Sequence, residues 1–219
     1  MNKLIIFDCD GTLVDSEAIA ARVFPAVWAT MGLQMTTDEF ISNFVGISND
    51  AESVKNILAP LPPHAKAVAD KAFAEELARN LQPVHGTLKL LAQLSCQACV
   101  ASNSSVEYLQ RTLRATGLAE FFGERIFSAH QVARPKPAPD LFLHAAQVLG
   151  FQAEQCLVVE DSVPGVKAAQ AAGMKVVGYT AGLHFNAAVT NRLLEAKADF
   201  YCDNALELEQ LIRNFTLNP

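Results

Sequence analysis

The chain has 219 residues, 51% of them hydrophobic, and 17 Lys+Arg against 23 Asp+Glu give a net charge of −6. That composition excludes most disordered and fibrous classes, and the acidic balance argues against nucleic acid or an anionic membrane surface as the main partner. The length accommodates one large domain, or a main domain with a smaller insertion.

At the start, only four apolar residues, Leu4–Phe7, lie between Lys3 and Asp8, too few for the apolar core of a secretory signal. No later run reaches the roughly 18 apolar residues that span a bilayer. The five cysteines are an odd, dispersed set and not a disulfide framework, so a cytoplasmic location is expected. Leu4–Phe7 reads as a first strand. From Asp15 to Gln82 the pattern is helical with no convincing strand. Helices are expected over Ser16–Met31, kinked at Pro25, then Thr37–Phe44, Asn49–Leu58 and His64–Leu81, with Pro60, Pro62 and Pro63 punctuating one connection.

Beyond Gln82-Pro83 short apolar runs alternate with helix-sized segments. Strands are expected at Ala98–Ser102, Arg125–Ser128, Leu157–Glu160, Lys175–Tyr179 and Phe200–Cys202. Helices are expected at Ser104–Thr116, Pro139–Leu149, Ser162–Ala172 and Ala187–Glu195. Ser162 suits an N-cap, Gly173 a C′ glycine and Pro139 a first helical turn. The rhythm predicts an α/β fold, a mainly parallel sheet with helices on both faces. Its core comprises residues 1–14 and 83–219, and residues 15–82 form an inserted helical domain.

Chemistry-bearing residues fall at the carboxyl ends of these strands, the edge where open α/β sheets bind ligands. The first strand ends in Asp8-Cys9-Asp10-Gly11-Thr12, where a carboxylate can be a metal ligand, a nucleophile or a solvated loop residue. Ser102-Asn103 ends another strand, Lys136 follows a third, and Glu160-Asp161 closes a fourth. A serine hydroxyl and nearby amides can bond phosphoryl oxygens, an ammonium can offset their charge, and an acidic pair can complete an oxygen site for Mg²⁺.

The order of these pieces closely resembles the haloacid dehalogenase-like hydrolase superfamily, in the group with a helical cap inserted after the first strand. The motifs are DxDGT (Asp8 to Thr12), the strand-end serine Ser102, a lysine before PxPD (Lys136 to Asp140), and the acidic pair opening Glu160-Asp161-Ser162-Val163-Pro164-Gly165. The resemblance implies a three-layer, Rossmann-like core and a Mg²⁺-dependent phosphatase acting on a small phosphorylated metabolite, such as a sugar phosphate. It implies Asp8 as nucleophile, Asp10 as general acid–base, and Ser102 and Lys136 as further catalytic groups. Mg²⁺ would be held by Asp8, the Asp10 carbonyl, Asp161 and Glu160, and the phosphate by Asp8, Gly11, Thr12, Ser102, Asn103 and Lys136. Ser16 and the cap-loop residues Gly46, Ser48 and Asn49 are expected to contact substrate.

Asp10 favours phosphoryl transfer, because the dehalogenases of this superfamily lack the second aspartate. Phosphomutases with the same cap share the core motifs, but their sugar phosphomutase pattern carries a histidine where this chain has Ala20 and an arginine where it has Asn49. Phosphonate hydrolysis needs a Schiff-base lysine in the cap, and Lys55, Lys66 and Lys71 sit in no such motif. A non-catalytic receiver-like phospho-switch uses similar groups but is much shorter and lacks a large cap. Cys96-Gln97-Ala98-Cys99 has redox spacing but runs into a strand, so two ordinary thiols are expected. Cys9 is expected to point into the sheet, since no cysteine is followed six residues later by arginine. Phe24 and Trp28 read as cap core. The five histidines form no metal-spaced pair, and His184, just beyond a strand, stands out among them.

Overall fold

A computed structural model describes residues 2–47 and 51–217. In chain order the elements are β1 (Leu4–Phe7), α1 (Ser16–Ala29), α2 (Thr37–Phe44), α3 (Glu52–Leu58), α4 (Ala65–Asn80), α5 (Thr87–Gln93), β2 (Gln97–Ser102), α6 (Val106–Ala115), α7 (Ala119–Phe122) and β3 (Ile126–Ser128). There follow α8 (Asp140–Leu149), β4 (Cys156–Glu160), α9 (Val163–Ala171), β5 (Lys175–Tyr179), α10 (Ala187–Glu195), β6 (Phe200–Cys202) and α11 (Ala205–Leu217). The six strands form one parallel sheet in the order β3-β2-β1-β4-β5-β6. This is the Rossmann-like order, in which the chain reverses direction across the sheet beside β1.

Because parallel strands are covered on both faces, their residues are apolar almost without interruption. Ile5 and Phe7 face a core completed by Leu109 and Leu113 of α6, Phe122 of α7 and Leu208 and Ile212 of α11. Leu4 and Ile6 face the opposite core, with Leu141 and Phe142 of α8, Val166 and Ala169 of α9 and Leu193 of α10. The small residues Gly165, Ala168 and Ala169 of α9 are buried, which brings that helix close to the sheet. Ser162 caps α9 by accepting from Gly165 N at 3.2 Å, and Gly173 follows it with φ of +72°. Pro139 lies one residue earlier than expected, at the N-cap of α8.

Between β1 and β2 the helices α1 to α4 surround their own apolar cluster, centred on Trp28, Phe40, Ile41, Ala65 and Ala69. Phe24 packs edge-on to Trp28 at 5.3 Å and stacks on Phe40 at 5.6 Å, so both aromatics fill the interior of this helical cluster. The helix α1 runs through the buried Pro25. The two strands of chain that enter and leave this region meet where Val14 bridges Pro83 and Val84 N donates to Leu13 O at 3.0 Å. A second contact joins this helical segment to the sheet region: Arg192 of α10 donates to Ser42 O (2.8 Å) and Val45 O (3.0 Å) at the end of α2. Asn186 Nδ2 adds bonds to Asp38 Oδ1 and Ser42 Oγ, both 3.0 Å. Among the described residues no helix is long and apolar enough to cross a membrane.

Candidate active site

The sheet register assembles the site. Phe7 is paired with Val100 on β2 and Val159 on β4, so the next residue on each strand, Asp8, Ala101 and Glu160, comes to one level at the carboxyl edge. Lys136, from the loop before α8, reaches this level. Its Nζ donates to Asp8 Oδ1 (2.6 Å), Glu160 Oε1 (2.6 Å) and Ala101 O (2.8 Å), which uses all three ammonium protons. Burial opposes its charge, but Asp8 and Glu160 outweigh burial and hold Lys136 above its ordinary pKa. The ammonium also lies 4.7 Å from the Phe142 ring centroid.

Glu160 is fully buried. Its Oε2 accepts from Ser162 N (3.2 Å) and Oγ (2.8 Å), so the glutamate joins the lysine to the start of α9. Its carboxyl occupies the space where a Cβ on Gly165 would lie. Asp161 Oδ1 accepts from Thr12 Oγ1 at 3.2 Å, and Gly11, at φ of +78°, leaves room for the same carboxyl because a Cβ there would overlap it. On the other side His184, also buried, sets Nε2 3.2 Å from Asp161 Oδ2. The neighbouring Leu183 N donates to Asp15 Oδ1 at 2.8 Å.

Asp10 lies apart from the lysine. Its Oδ1 accepts from Ser16 Oγ and Tyr108 OH, both 2.7 Å, and its Oδ2 from Ser104 Oγ at 2.8 Å. Ser102 is buried and accepts from Ser104 N at 3.2 Å. The Asn103 amide is engaged by Lys136: Oδ1 accepts from Lys136 N (3.0 Å) and Nδ2 donates to Lys136 O (3.3 Å). Its side chain therefore holds the lysine loop, and the Thr12 hydroxyl holds Asp161. Gly46 is exposed just past α2 and has no hydrogen bond to the core site among the described residues. Ser48 and Asn49 lie outside the described residues. Tyr108 and Ser104 were missed by sequence reasoning, and no local spacing marks them.

All five cysteines are free. Cys9 is buried in the core beneath the site, where burial and then the charges of Asp10 and Asp8 push its thiol well up, the opposite of an activated nucleophile.

Asp8, Glu160 and Asp161 offer carboxylate oxygens that all lie within 4.8 Å of one another. Burial pushes Asp8 and Asp161 well above the usual carboxylate range. Lys136 opposes the shift of Asp8, the neighbouring carboxylates reinforce it, and Glu160 reinforces that of Asp161. Buried like charges in excess of their one ammonium call for further positive charge. An all-oxygen donor set suits a hard divalent cation.

Residues 5–179 match the family model described as haloacid dehalogenase-like hydrolase. The chain belongs to this family, in the phosphatase group that carries a helical cap. It is 31% identical over 190 residues to 6-phosphogluconate phosphatase of Escherichia coli, covering 83% of this chain and 84% of that one. Among solved structures, a conserved haloacid dehalogenase-like protein from Agrobacterium tumefaciens superposes with a TM-score of 0.89 at 34% identity, covering 99% of this chain and 100% of its own. A family hydrolase from Deinococcus radiodurans, solved with bound phosphate and sodium, gives a TM-score of 0.86 at 32% identity and coverages of 99% and 97%.

Proposed function

We propose that this phosphoric monoester hydrolase is a Mg²⁺-dependent phosphatase that hydrolyses a small phosphomonoester, a sugar phosphate or related metabolite, through an aspartyl-phosphate on Asp8. The observation that carries the reading is the buried Asp8 carboxylate at the sheet's switch point, flanked by Lys136 at 2.6 Å and by the Glu160-Asp161 pair. The similarity to a phosphatase of a sugar-acid phosphate and to a hydrolase that holds phosphate supports the substrate class.

In the first step an Asp8 oxygen attacks phosphorus, the bond from phosphorus to the ester oxygen breaks, and the departing alkoxide takes the proton of Asp10. In the second, a water oxygen attacks phosphorus while Asp10 takes a proton from it. The bond from Asp8 to phosphorus breaks, and inorganic phosphate leaves. Attack of one anion on another is electrostatically opposed, and Lys136 offsets it from beside Asp8. Bound Mg²⁺, held by Asp8, Asp161, the Asp10 carbonyl and Glu160, would supply further positive charge to the phosphoryl oxygens. Glu160 already bonds Lys136 and Ser162, which leaves it a remaining lone pair for a water or the ion. Ser102, with the backbone N–H groups of Thr12 and Asn103, would receive the phosphoryl group, and Gly11, whose own N–H donates to Val14 O at 2.8 Å, would lie beside it without donating.

In this reading residues 15–82 are the cap and residues 1–14 and 83–219 the core. The cap closes over the core site, excludes water and selects the substrate, with Ser16, Gly46, Ser48 and Asn49 as contacts. The test is a panel of phosphorylated metabolites assayed with Mg²⁺ for phosphate release, ranked by kcat/KM. Repeated turnover of one or a few sugar phosphates is the expected outcome. Isomer formation without free phosphate, or stoichiometric labelling without turnover, would contradict it.

A further inference from the structure

The carboxylate of Asp10 accepts three hydroxyls, and they come from three places: Ser16 at the start of α1, Ser104 in the connection after β2, and Tyr108 in the first turn of α6. In its ionised, base form Asp10 only accepts, so each hydroxyl spends its single proton on it; when Asp10 carries its proton as the acid, one of the hydroxyl oxygens accepts it instead. Bonds to both oxygens fix its position and the rotation of its plane. Tyr108 is itself anchored, since its backbone N donates to the N-cap Ser105 Oγ at 3.3 Å. Ser104 is anchored through its carbonyl, which accepts from Ser128 Oγ at 2.7 Å.

We propose that Tyr108, with Ser104, is a positioning residue for the acid–base Asp10, so that the connection from β2 into α6 aligns the general acid as well as carrying the phosphate-binding Ser102. This rests on the reading of Asp10 given above. It makes a prediction that a purely structural tyrosine does not. An alkyl alkoxide needs a proton to leave, whereas p-nitrophenolate does not, so misalignment of Asp10 must cost more with an alkyl ester. The measure is kcat/KM, which reports the steps up to departure of the alcohol.

The experiment compares the full-length wild type, Tyr108→Phe, Ser104→Ala, Asp10→Asn and the double variant Asp10→Asn/Tyr108→Phe, all with Mg²⁺. The substrates are p-nitrophenyl phosphate and the best alkyl ester of the metabolite panel. Tyr108→Phe keeps the ring that packs on the core and on Arg111, so its fold is retained. It is expected to lower kcat/KM about tenfold for the alkyl ester and less than about threefold for the aryl ester, with Ser104→Ala changing in the same direction. In the Asp10→Asn background Tyr108→Phe should add less than about twofold. Equal losses on both esters for Tyr108→Phe, beside a leaving-group-dependent loss for Asp10→Asn, would overturn the positioning role and leave the Asp10 reading intact. Equal losses on both esters for Asp10→Asn would overturn that reading itself, and the positioning role with it.

Discussion

Gly165→Ala tests the link between helix packing and the charged centre. Gly165 is the third residue of α9, and a Cβ there would overlap the carboxyl of Glu160. In a helix, replacing glycine with alanine contributes up to about 1 kcal/mol of stability if nothing is in the way. Here Glu160 must move, and its carboxyl holds Lys136 Nζ at 2.6 Å, Ser162 Oγ at 2.8 Å and Ser162 N at 3.2 Å. Losing these charge-assisted contacts costs on the order of 2–4 kcal/mol in total, so the net loss is about 1–3 kcal/mol. At roughly 2–4 °C per kcal/mol for a chain of this size, the melting temperature should fall by about 2–12 °C. Activity should fall as well, because Lys136 loses a partner and drifts from Asp8. Thermal denaturation beside phosphate-release kinetics checks both. A melting temperature equal to or above wild type, with activity retained, would refute the packing argument.

Asn103→Ala removes the two bonds to the Lys136 backbone from an exposed position. We expect about a tenfold lower kcat/KM, a barrier change of about 1.4 kcal/mol, with the melting temperature within a few degrees of wild type; a large thermal shift with full activity would count against it. Stability should also depend on pH and metal together. Asp8 and Asp161 are raised by burial and Glu17 is pushed up to about 7, also by burial. The folded chain thus binds protons that the unfolded chain has released above about pH 4, and the metal-free protein loses stability as pH rises through the folded values. The gain in melting temperature on replacing EDTA with Mg²⁺ should therefore be larger at pH 8 than at pH 5, and a gain independent of pH would contradict this. Arg192→Ala releases α2 from α10. Amide exchange over residues 37–45 should rise and KM increase severalfold, about 1 kcal/mol of lost contact; unchanged exchange would contradict a role for Arg192 in holding α2.

The sheet was legible because strands buried on both faces leave continuous apolar runs, as in Leu157–Glu160, and because turn residues bound them. The helices α5 and α11 were not foreseen. The first spans only seven residues, too short for a period to show. The second does carry apolar residues at Leu208, Leu211, Ile212 and Phe215, a helical spacing that would have revealed it. The charged centre could be anticipated from strand-end residues, since register brings Asp8 and Glu160 level. The hydroxyls around Asp10 could not, because Ser104 and Tyr108 are 94 and 98 residues away in sequence and meet it only through the crossover after β2. His184 beside Asp161 likewise depends on how the loop after β5 folds back across Gly11, where only a residue without a Cβ leaves room.

In the proposed reaction the phosphoryl group passes through Asp8. Acid quench of a single turnover with a phosphate-labelled substrate, followed by peptide mass analysis, measures it directly. Label is expected on the peptide containing Asp8 in the wild type, with neither label nor phosphate release in Asp8→Asn. Undiminished turnover by Asp8→Asn would contradict it.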